Sequence, residues 1–316
     1  MRILRNPRVL LSILFLLTLS GLSRAQSDKL PDLDTVLLTV SVTGPKNNSV
    51  TGLGKERFQV LEDGVEQEIT YFLEDSRPIT VGFIFDDSKR MELHDKYYVL
   101  EEAAQSFLET KDPRDEYFVV KMSSNPVVAV SFTTDVNKLP FVYGASGATA
   151  LYDSIYVGLS VIKEAANPRK ALVVITSGGD RCGPEPEPCD EGIKTTTADT
   201  LEEFAMKQPV QIYSLLILED MEHEPPDFNS EAIVLSDLGS MTGGEMYEVM
   251  NSARAVEAIT AEIARGLKTQ YLVGYRSTRP AHDGKRRGVK VKVNPPEDSP
   301  KLHVRTKSGY RTPKAK

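Results

Sequence analysis

The chain has 316 residues, 40% of them hydrophobic and 26% charged, a composition typical of a globular protein with room for one large domain and a smaller one. Its formal net charge of −7 argues against a nucleic-acid partner, which would favour a basic chain. Beyond the first 25 residues, no stretch is long and apolar enough to cross a bilayer.

Residues 1–25 are predicted to be a signal peptide. Three arginines precede residues 9–19, which are almost wholly apolar. Ser23 and Ala25 place small residues at the two positions that a signal peptidase recognises, so cleavage is predicted between Ala25 and Gln26. The alternative is an uncleaved membrane anchor, although the apolar run is shorter than the roughly 20 residues that a span needs. We therefore expect export to the periplasm or to the outside of the cell.

Residues 26–76 are predicted to form an N-terminal β segment. Apolar and polar residues alternate from residue 36 to residue 43, as in a strand with one buried face. Residues 58–61 and 65–72 flank Asp63-Gly64, a pair that supplies the positive φ angles of a tight hairpin turn.

Residues 77–267 alternate between apolar strands and amphipathic helices. Apolar runs at residues 79–85, 172–175 and 210–217 indicate strands that are buried on both faces. Helices are predicted at residues 95–108, 151–162, 199–206, 232–241 and 253–266, and further strands at residues 117–122, 127–132 and 245–249. This alternation predicts a Rossmann-like α/β domain, with a mostly parallel sheet covered by helices on both faces.

Residues 268–316 return to β structure. Strands are predicted at residues 270–275, 289–293 and 302–306, with a turn at Asp283-Gly284. Neither this segment nor residues 26–76 has enough strands to bury a core alone. The two ends of the chain are therefore predicted to pair with each other in one small β module.

Three polar loops are predicted to meet at one edge of the sheet. Asp86 and Ser88 follow the first buried strand, Ser177 follows the strand at residues 172–175, and Thr149 precedes a helix. In a doubly wound sheet, ligands sit beyond the carboxyl ends of the strands, at the point where the strand order reverses. These side chains all present oxygen, which suits a hard cation such as Mg²⁺ or Ca²⁺.

The same residues carry a family resemblance. Phe83-Ile84-Phe85-Asp86-Asp87-Ser88 resembles the opening strand and D-x-S-x-S metal motif of von Willebrand factor A domains, and Gly147-Ala148-Thr149 resembles their threonine loop. Glu62-Asp63-Gly64 and Gly274-Tyr275 are similar to the flanks of the VWFA-related Acidobacterial domain family. The resemblance covers nearly all of the chain after residue 25. It implies a protein-interaction or adhesion module with a metal-dependent adhesion site.

This sequence departs from the metal motif at two positions. Arg90 stands where the second serine of the motif is expected, and Ser177 stands where an aspartate is expected. The missing carboxylate removes negative charge that a divalent ion needs, and a nearby guanidinium opposes the ion directly. Arg90 is expected to pair with Asp86 in place of the cation, or alternatively to point to solvent. We therefore expect no cofactor at this degenerate site, with Mg²⁺ or Ca²⁺ as the alternative.

Two loops on the same rim carry further predictions. Cys182 and Cys189 bracket a Pro-rich loop, and in an exported chain their default state is a disulfide. Acidic residues in this loop, and in the loop at residues 219–227, would favour a basic protein partner. The alternative is that both loops are simply solvated.

Three classes of function remain open from the sequence. An exported protein-interaction or adhesion module is the leading hypothesis, and a structural envelope protein without a ligand is the second. An enzyme is disfavoured because the chain lacks a nucleophile elbow, a zinc-protease motif, a dinucleotide fingerprint and a P-loop. In addition, only His94 lies near Ser88 in sequence, and no histidine lies close to Ser177.

Overall fold

The structure, a computed structural model, describes residues 35–45, 48–88, 112–135, 149–179, 196–218, 228–250, 252–279, 282–297 and 300–313, together with residues 91, 103–105, 107 and 109. These residues belong to one unit, Pro31–Lys316. The predicted signal peptide lies outside them. None of the described helices is both long and apolar enough to span a membrane.

The described strands are, in chain order, β1 (Thr35–Thr43), β2 (Phe58–Glu62), β3 (Val65–Gln67), β4 (Ile69–Asp75), β5 (Ile79–Asp86), β6 (Glu116–Met122), β7 (Val127–Thr133), β8 (Arg169–Thr176), β9 (Gln211–Leu218), β10 (Glu245–Met250), β11 (Gln270–Arg276), β12 (Arg286–Val293), β13 (His303–Arg305) and β14 (Gly309–Arg311). The helices are α1 (Leu151–Ile162), α2 (Ala198–Met206), α3 (Phe228–Thr242) and α4 (Ala253–Lys268). Of the helix predicted at residues 95–108, residues 103–105 and 107 are described, and they are helical.

The central feature is a six-stranded sheet with the order β10-β9-β8-β5-β6-β7. Neighbouring strands are parallel, except that β7 returns antiparallel to β6 at one edge. When the six strands β5 to β10 are renumbered 1 to 6 in chain order, the order from the β7 edge is 3-2-1-4-5-6. This is the strand order of doubly wound α/β sheets. The predicted α/β fold class is confirmed, and the strand order reverses between β5 and β8.

The two faces of this sheet carry separate cores because successive strand residues point to opposite sides. Phe83 and Phe85 pack with Ile263 and Leu267 of α4 on one face. Ile84, between the two phenylalanines, packs on the other face with residues of α1, α2 and α3. Every residue of β5 and of β9 is buried, which explains the continuous apolar runs in the sequence.

The ends of the chain pair with each other, as predicted. One sheet has the order β13-β1-β11-β4 and the other β14-β12-β2-β3, so each sheet interleaves strands from the N-terminal and C-terminal segments. Their inward side chains, among them Leu38, Val60, Tyr271 and Val291, form a third core. We call these two sheets the β module. The domain boundaries drawn at residues 76/77 and 267/268 stay predictions.

One strand prediction was wrong in detail. Residues 65–72 were expected to form a single strand after the Asp63-Gly64 turn, but β3 and β4 are separated at Glu68 and lie in different sheets. The turn itself is as predicted, with φ angles of 46° at Asp63 and 84° at Gly64. The break at Glu68 lets the chain leave β2 and join β11, a switch that the alternation of side chains does not reveal.

Candidate functional site

The candidate site lies at the carboxyl ends of β5 and β8, where the strand order reverses. Asp86 is the last residue of β5, and Thr176 is the last residue of the adjacent parallel strand β8. The carboxyl ends of parallel neighbours meet at one edge of a sheet, and this position is where doubly wound folds bind their ligands. The structure therefore brings Asp86 and Ser177 together, as the sequence predicted.

The carboxylate of Asp86 is fully buried, with 0% of the residue exposed, and it accepts four hydrogen bonds. Its Oδ2 accepts from Thr176 Oγ1 at 3.0 Å, from the Ser177 backbone N–H at 3.0 Å and from Ser177 Oγ at 3.1 Å. Its Oδ1 accepts from the Ser88 backbone N–H at 3.0 Å. Burying a carboxylate is costly unless hydrogen bonds compensate it, and here uncharged donors supply that compensation.

The chain after β8 is shaped to aim these donors at Asp86. Gly178 and Gly179 have φ angles of 80° and 86°, a left-handed conformation that a residue with a Cβ adopts only at a cost. The Gly178 N–H donates to Thr176 Oγ1 at 3.0 Å, so the threonine hydroxyl both accepts from the loop and donates to the carboxylate. The tight turn thus holds the Ser177 amide and hydroxyl against Asp86.

Asp87 connects the loop that follows β5 to the neighbouring strand, β6. The Asp87 N–H donates to the Met122 carbonyl at 2.7 Å, at the end of β6. Asp87 Oδ2 lies 3.5 Å from Lys121 Nζ, and both side chains are largely buried. Because Lys121 neutralises Asp87, this second carboxylate adds little net negative charge to the edge.

Thr149 reaches the same edge from the other side. It is buried, and the N–H of the next residue, Ala150, donates to the Ser123 carbonyl just beyond β6 at 3.3 Å. In the first turn of α1, Asp153 Oδ1 accepts from the Thr196 N–H at 2.7 Å. Among the described residues, no hydrogen bond joins Thr149 to Asp86.

Several predicted residues fall outside the described part of the chain. These are Ala25 and Gln26 at the cleavage site, Arg90 of the metal motif, Cys182 and Cys189 of the expected disulfide, and the acidic residues 185–191 and 219–227. The pairing of Arg90 with Asp86 and the disulfide both stay predictions.

The sequence missed Thr176. The predicted strand ends at Ile175, and of the two hydroxyl residues that follow it only Ser177 is a predicted site residue. A hydroxyl residue directly after an apolar strand, next to a serine that replaces an aspartate, is the signal that would have pointed to it.

Within the described residues, no group of three or more His, Cys, Asp or Glu side chains is placed to hold a metal ion.

No family model matches the chain, and neither does any curated protein. Among solved structures, the D319A mutant of the PilB minor pilin from Streptococcus sanguinis is 12% identical, with a TM-score of 0.47 over 62% of this chain and 62% of the pilin chain. The vWF domain of the type V pili tip protein Mfa5 from Porphyromonas gingivalis is 11% identical, with a TM-score of 0.46 over 61% of this chain and 97% of that domain. A von Willebrand factor type A protein from Catenulispora acidiphila is 11% identical, with a TM-score of 0.46 over 87% of this chain and 72% of that one. Likenesses this distant say nothing about what the chain binds.

Proposed function

We propose that this chain is an exported von Willebrand A-type module that binds a protein partner at the carboxyl edge of its six-stranded sheet, without a resident divalent cation. The observation that carries the proposal is the Asp86 cluster at the point where the strand order reverses. Asp86, Ser88 and Thr149 match the family's motif positions in sequence, and they lie along this one edge.

The donors around Asp86 do not fit a divalent cation. Three hydrogen bonds already converge on Oδ2, from the Thr176 hydroxyl and from the Ser177 N–H and hydroxyl, so this oxygen is engaged by donors and offers little to a cation. Ser177 stands where the motif has its second carboxylate, and the nearby carboxylate of Asp87 is neutralised by Lys121 and does not replace it. Ser177 in place of aspartate supports a site that is held by hydrogen bonds and not by an ion.

The partner is expected to meet the loops and not the Asp86 carboxylate itself. Asp86, Ser88, Thr149 and Ser177 are all buried, so they position the loops that follow β5 and β8 and leave the contact to those loops. The acidic residues in the loops at residues 185–191 and 219–227 would favour a basic protein surface. Export, predicted from residues 1–25, would bring the module to the envelope or beyond it.

Calorimetric titration tests the cation part of the proposal. The native protein should give no heat with Mg²⁺ or Ca²⁺, whereas the Arg90→Ser, Ser177→Asp double variant should bind Mg²⁺. Adding Asp86→Ala to the double variant should abolish that binding. Micromolar Mg²⁺ binding by the native protein, lost in Asp86→Ala alone, would restore the metal-dependent alternative.

Capture from an envelope extract tests the partner part. A protein retained by the mature chain should then bind in purified form, and reversing the charge of Glu185 and Glu187 to lysine should weaken it. Glu297→Lys, at an exposed position in the segment that follows β12, is the matched control and should leave the affinity unchanged. No retained protein, together with no ion binding, would favour a structural envelope component.

We propose binding and not catalysis because the Ser177 hydroxyl donates to a carboxylate, which is ordinarily a weaker base than the histidine or lysine that activates a nucleophilic serine. An active-site serine probe should therefore leave Ser88 and Ser177 unlabelled. Labelling of either serine would support the hydrolase hypothesis.

Mass spectrometry of the native protein should find Gln26 at its N-terminus, and an intact Met1 would contradict export.

A further inference from the structure

A cavity lies at the opposite end of the six-stranded sheet from Asp86. It encloses about 270 Å³ between the amino ends of β8 and β9, the end of α3 and the strands β1 and β11 of the β module. Arg169 and Gln211 begin β8 and β9 and contribute to its wall, and Lys307 enters from the segment between β13 and β14. The cavity therefore exists only because the two ends of the chain fold against the sheet.

Much of the wall is apolar. The lining includes Leu37 of β1, Met206 at the end of α2, Val210, Met241 of α3 and Leu272 of β11. The volume lies just below the roughly 300–1,000 Å³ of cavities that hold drug-sized ligands, so the space suits a smaller molecule. An apolar wall of this kind would shield the hydrocarbon part of such a molecule from water.

The charged residues in the lining are mostly positive, in a protein whose net charge is −7. Four cationic side chains, those of Arg77, Arg169, Lys170 and Lys307, contribute to the described wall against one carboxylate, Asp75. Asp75 is already held by Arg77, with Nε–Oδ1 and Nη2–Oδ2 distances of 2.8 and 2.7 Å. The remaining charge of the wall is therefore positive.

Two of those cationic side chains, Arg169 and Lys170, donate hydrogen bonds to backbone carbonyls. Arg169 donates to the carbonyls of Arg77, at 2.7 Å, and of Leu267 at the end of α4. Lys170 Nζ donates to the Lys163 carbonyl at 3.0 Å. These contacts fix the side chains in place and leave Lys307 as the cation whose charge is least compensated.

Lys307 is half-buried and makes no ion pair with any residue that the structure describes. Its Nζ lies 5.7 Å from the ring centre of Tyr310, near the limit at which a cation and an aromatic ring attract each other. Burial lowers the pKa of Lys307 to about 8. The next residue, Ser308, donates its N–H to the Ser240 carbonyl on α3 at 2.9 Å, so the segment that carries the lysine is anchored.

We propose that this cavity binds a small organic anion, a carboxylate with a short aliphatic body, whose carboxylate pairs with the Lys307 ammonium. The aliphatic body would pack against Met206, Val210 and Met241. An ammonium that is partly removed from water is stabilised most by an anionic partner, and the cavity supplies both the charge and the apolar contact. This site is separate from the Asp86 edge, and it stands whether or not a protein partner is found there.

Titration of the mature chain with hexanoate tests the proposal. Calorimetry at neutral pH should show saturable binding, with hexan-1-ol and inorganic phosphate each binding at least about tenfold more weakly, because neither offers both the charge and the chain. Lys307→Met should weaken hexanoate about tenfold, the loss expected for one charge-assisted contact. Lys290→Met, on the exposed face of β12, is the matched control and should leave the affinity unchanged.

The native protein gives a second measurement that does not depend on the folding of a variant. NMR titration should show the Lys307 pKa rising when hexanoate binds, and the affinity should fall as pH rises through about 8 and the ammonium deprotonates. Asp75, Arg77, Arg169, Lys170 and Tyr271 are the other charged or titratable groups in the lining of the cavity. Absence of saturable hexanoate binding at millimolar concentration, equal affinity for phosphate, or an unchanged Lys307 pKa overturns the proposal.

Discussion

Tyr275 on β11 donates a hydrogen bond from its Oη to Oε2 of Glu62 on β2, with 2.8 Å between the two oxygens. Both residues are buried with 0% exposed. Tyr310 Oη donates to the same carboxylate oxygen at 2.8 Å, and Ser277 Oγ donates to Oε1 at 2.6 Å. Arg287 Nε lies 3.8 Å from Oε1 as well. A carboxylate from the N-terminal segment is thus satisfied by three hydroxyls and a guanidinium from the C-terminal segment, and neither segment can bury this side chain without the other.

We expect Tyr275→Phe to lower the free energy of unfolding by about 1–3 kcal/mol, because it leaves the buried Glu62 carboxylate with one donor fewer. Urea denaturation followed by circular dichroism measures the change. Tyr71→Phe, at a half-exposed tyrosine on β4, is the control and should cost less. An equal loss in the two variants would show that the hydrogen bond to Glu62 contributes nothing.

Stability should fall at alkaline pH through the tyrosines around Glu62. Burial, and then the hydrogen bond to Glu62, raise the pKa of Tyr310 to about 12 from the ordinary 10.0, and the pKa of Tyr275 is raised by the same causes. The folded state therefore keeps protons that the unfolded state loses, so this contribution is complete below about pH 10 and is lost as pH rises through about 12.

Urea midpoints measured across that pH window should fall steadily, and Tyr310→Phe should reduce the slope. Absorbance titration of the phenolates provides an independent reading of when the buried tyrosines ionise. A midpoint that does not change between about pH 10 and about pH 12 would contradict the assignment of these raised pKa values.

Truncation after Lys268 should unfold the N-terminal strands. β11 lies between β1 and β4, and β12 pairs with β2, so removing residues 269–316 takes away a neighbour from each of them. Hydrogen exchange should show loss of protection in Thr35–Thr43 and Phe58–Glu62. Protection in Ile79–Asp86, which pairs only within the six-stranded sheet, is the internal reference. Unchanged exchange in β1 would mean that the N-terminal segment folds without its partner.

Ser177→Asp by itself should be destabilising at neutral pH. Ser177 Oγ lies 3.1 Å from Asp86 Oδ2, so an aspartate there would place two carboxylates in contact and raise the pKa of one of them. We expect a loss of about 1–3 kcal/mol in the free energy of unfolding at pH 7, part of which returns on acidification as the pair takes up a proton. Ser177→Asn, similar in size but uncharged, is the control and should show no such pH dependence. A Ser177→Asp protein as stable as the native one would mean that the second carboxylate points away from Asp86.

The buried strands were predictable because a strand that is buried on both faces consists almost entirely of apolar residues. β5 and β9 are surrounded on both faces, so nearly every position is apolar, and no knowledge of the neighbours was needed to recognise them. The edge position of Asp86 followed from the same reasoning, since a polar residue that ends such a strand marks its carboxyl end. By contrast, β3 and β4 alternate in similar ways, and their assignment to different sheets depends on which strands they pair with.

The sequence by itself determined the α/β class, because hydrophobic periodicity and turn residues act locally. It also determined that the two chain ends pair and that Asp86 meets Ser177, because a few strands cannot bury a core alone and the carboxyl ends of neighbouring parallel strands share one edge of the sheet. Only the tertiary structure decided that Thr176 donates to Asp86, that Tyr275 and Tyr310 share the carboxylate of Glu62, and that Lys307 and Met206 line the same cavity. The physical reason is that each of these contacts joins residues from separate strands and helices. Their distance in space is set by sheet order and register, which no local pattern of side chains specifies.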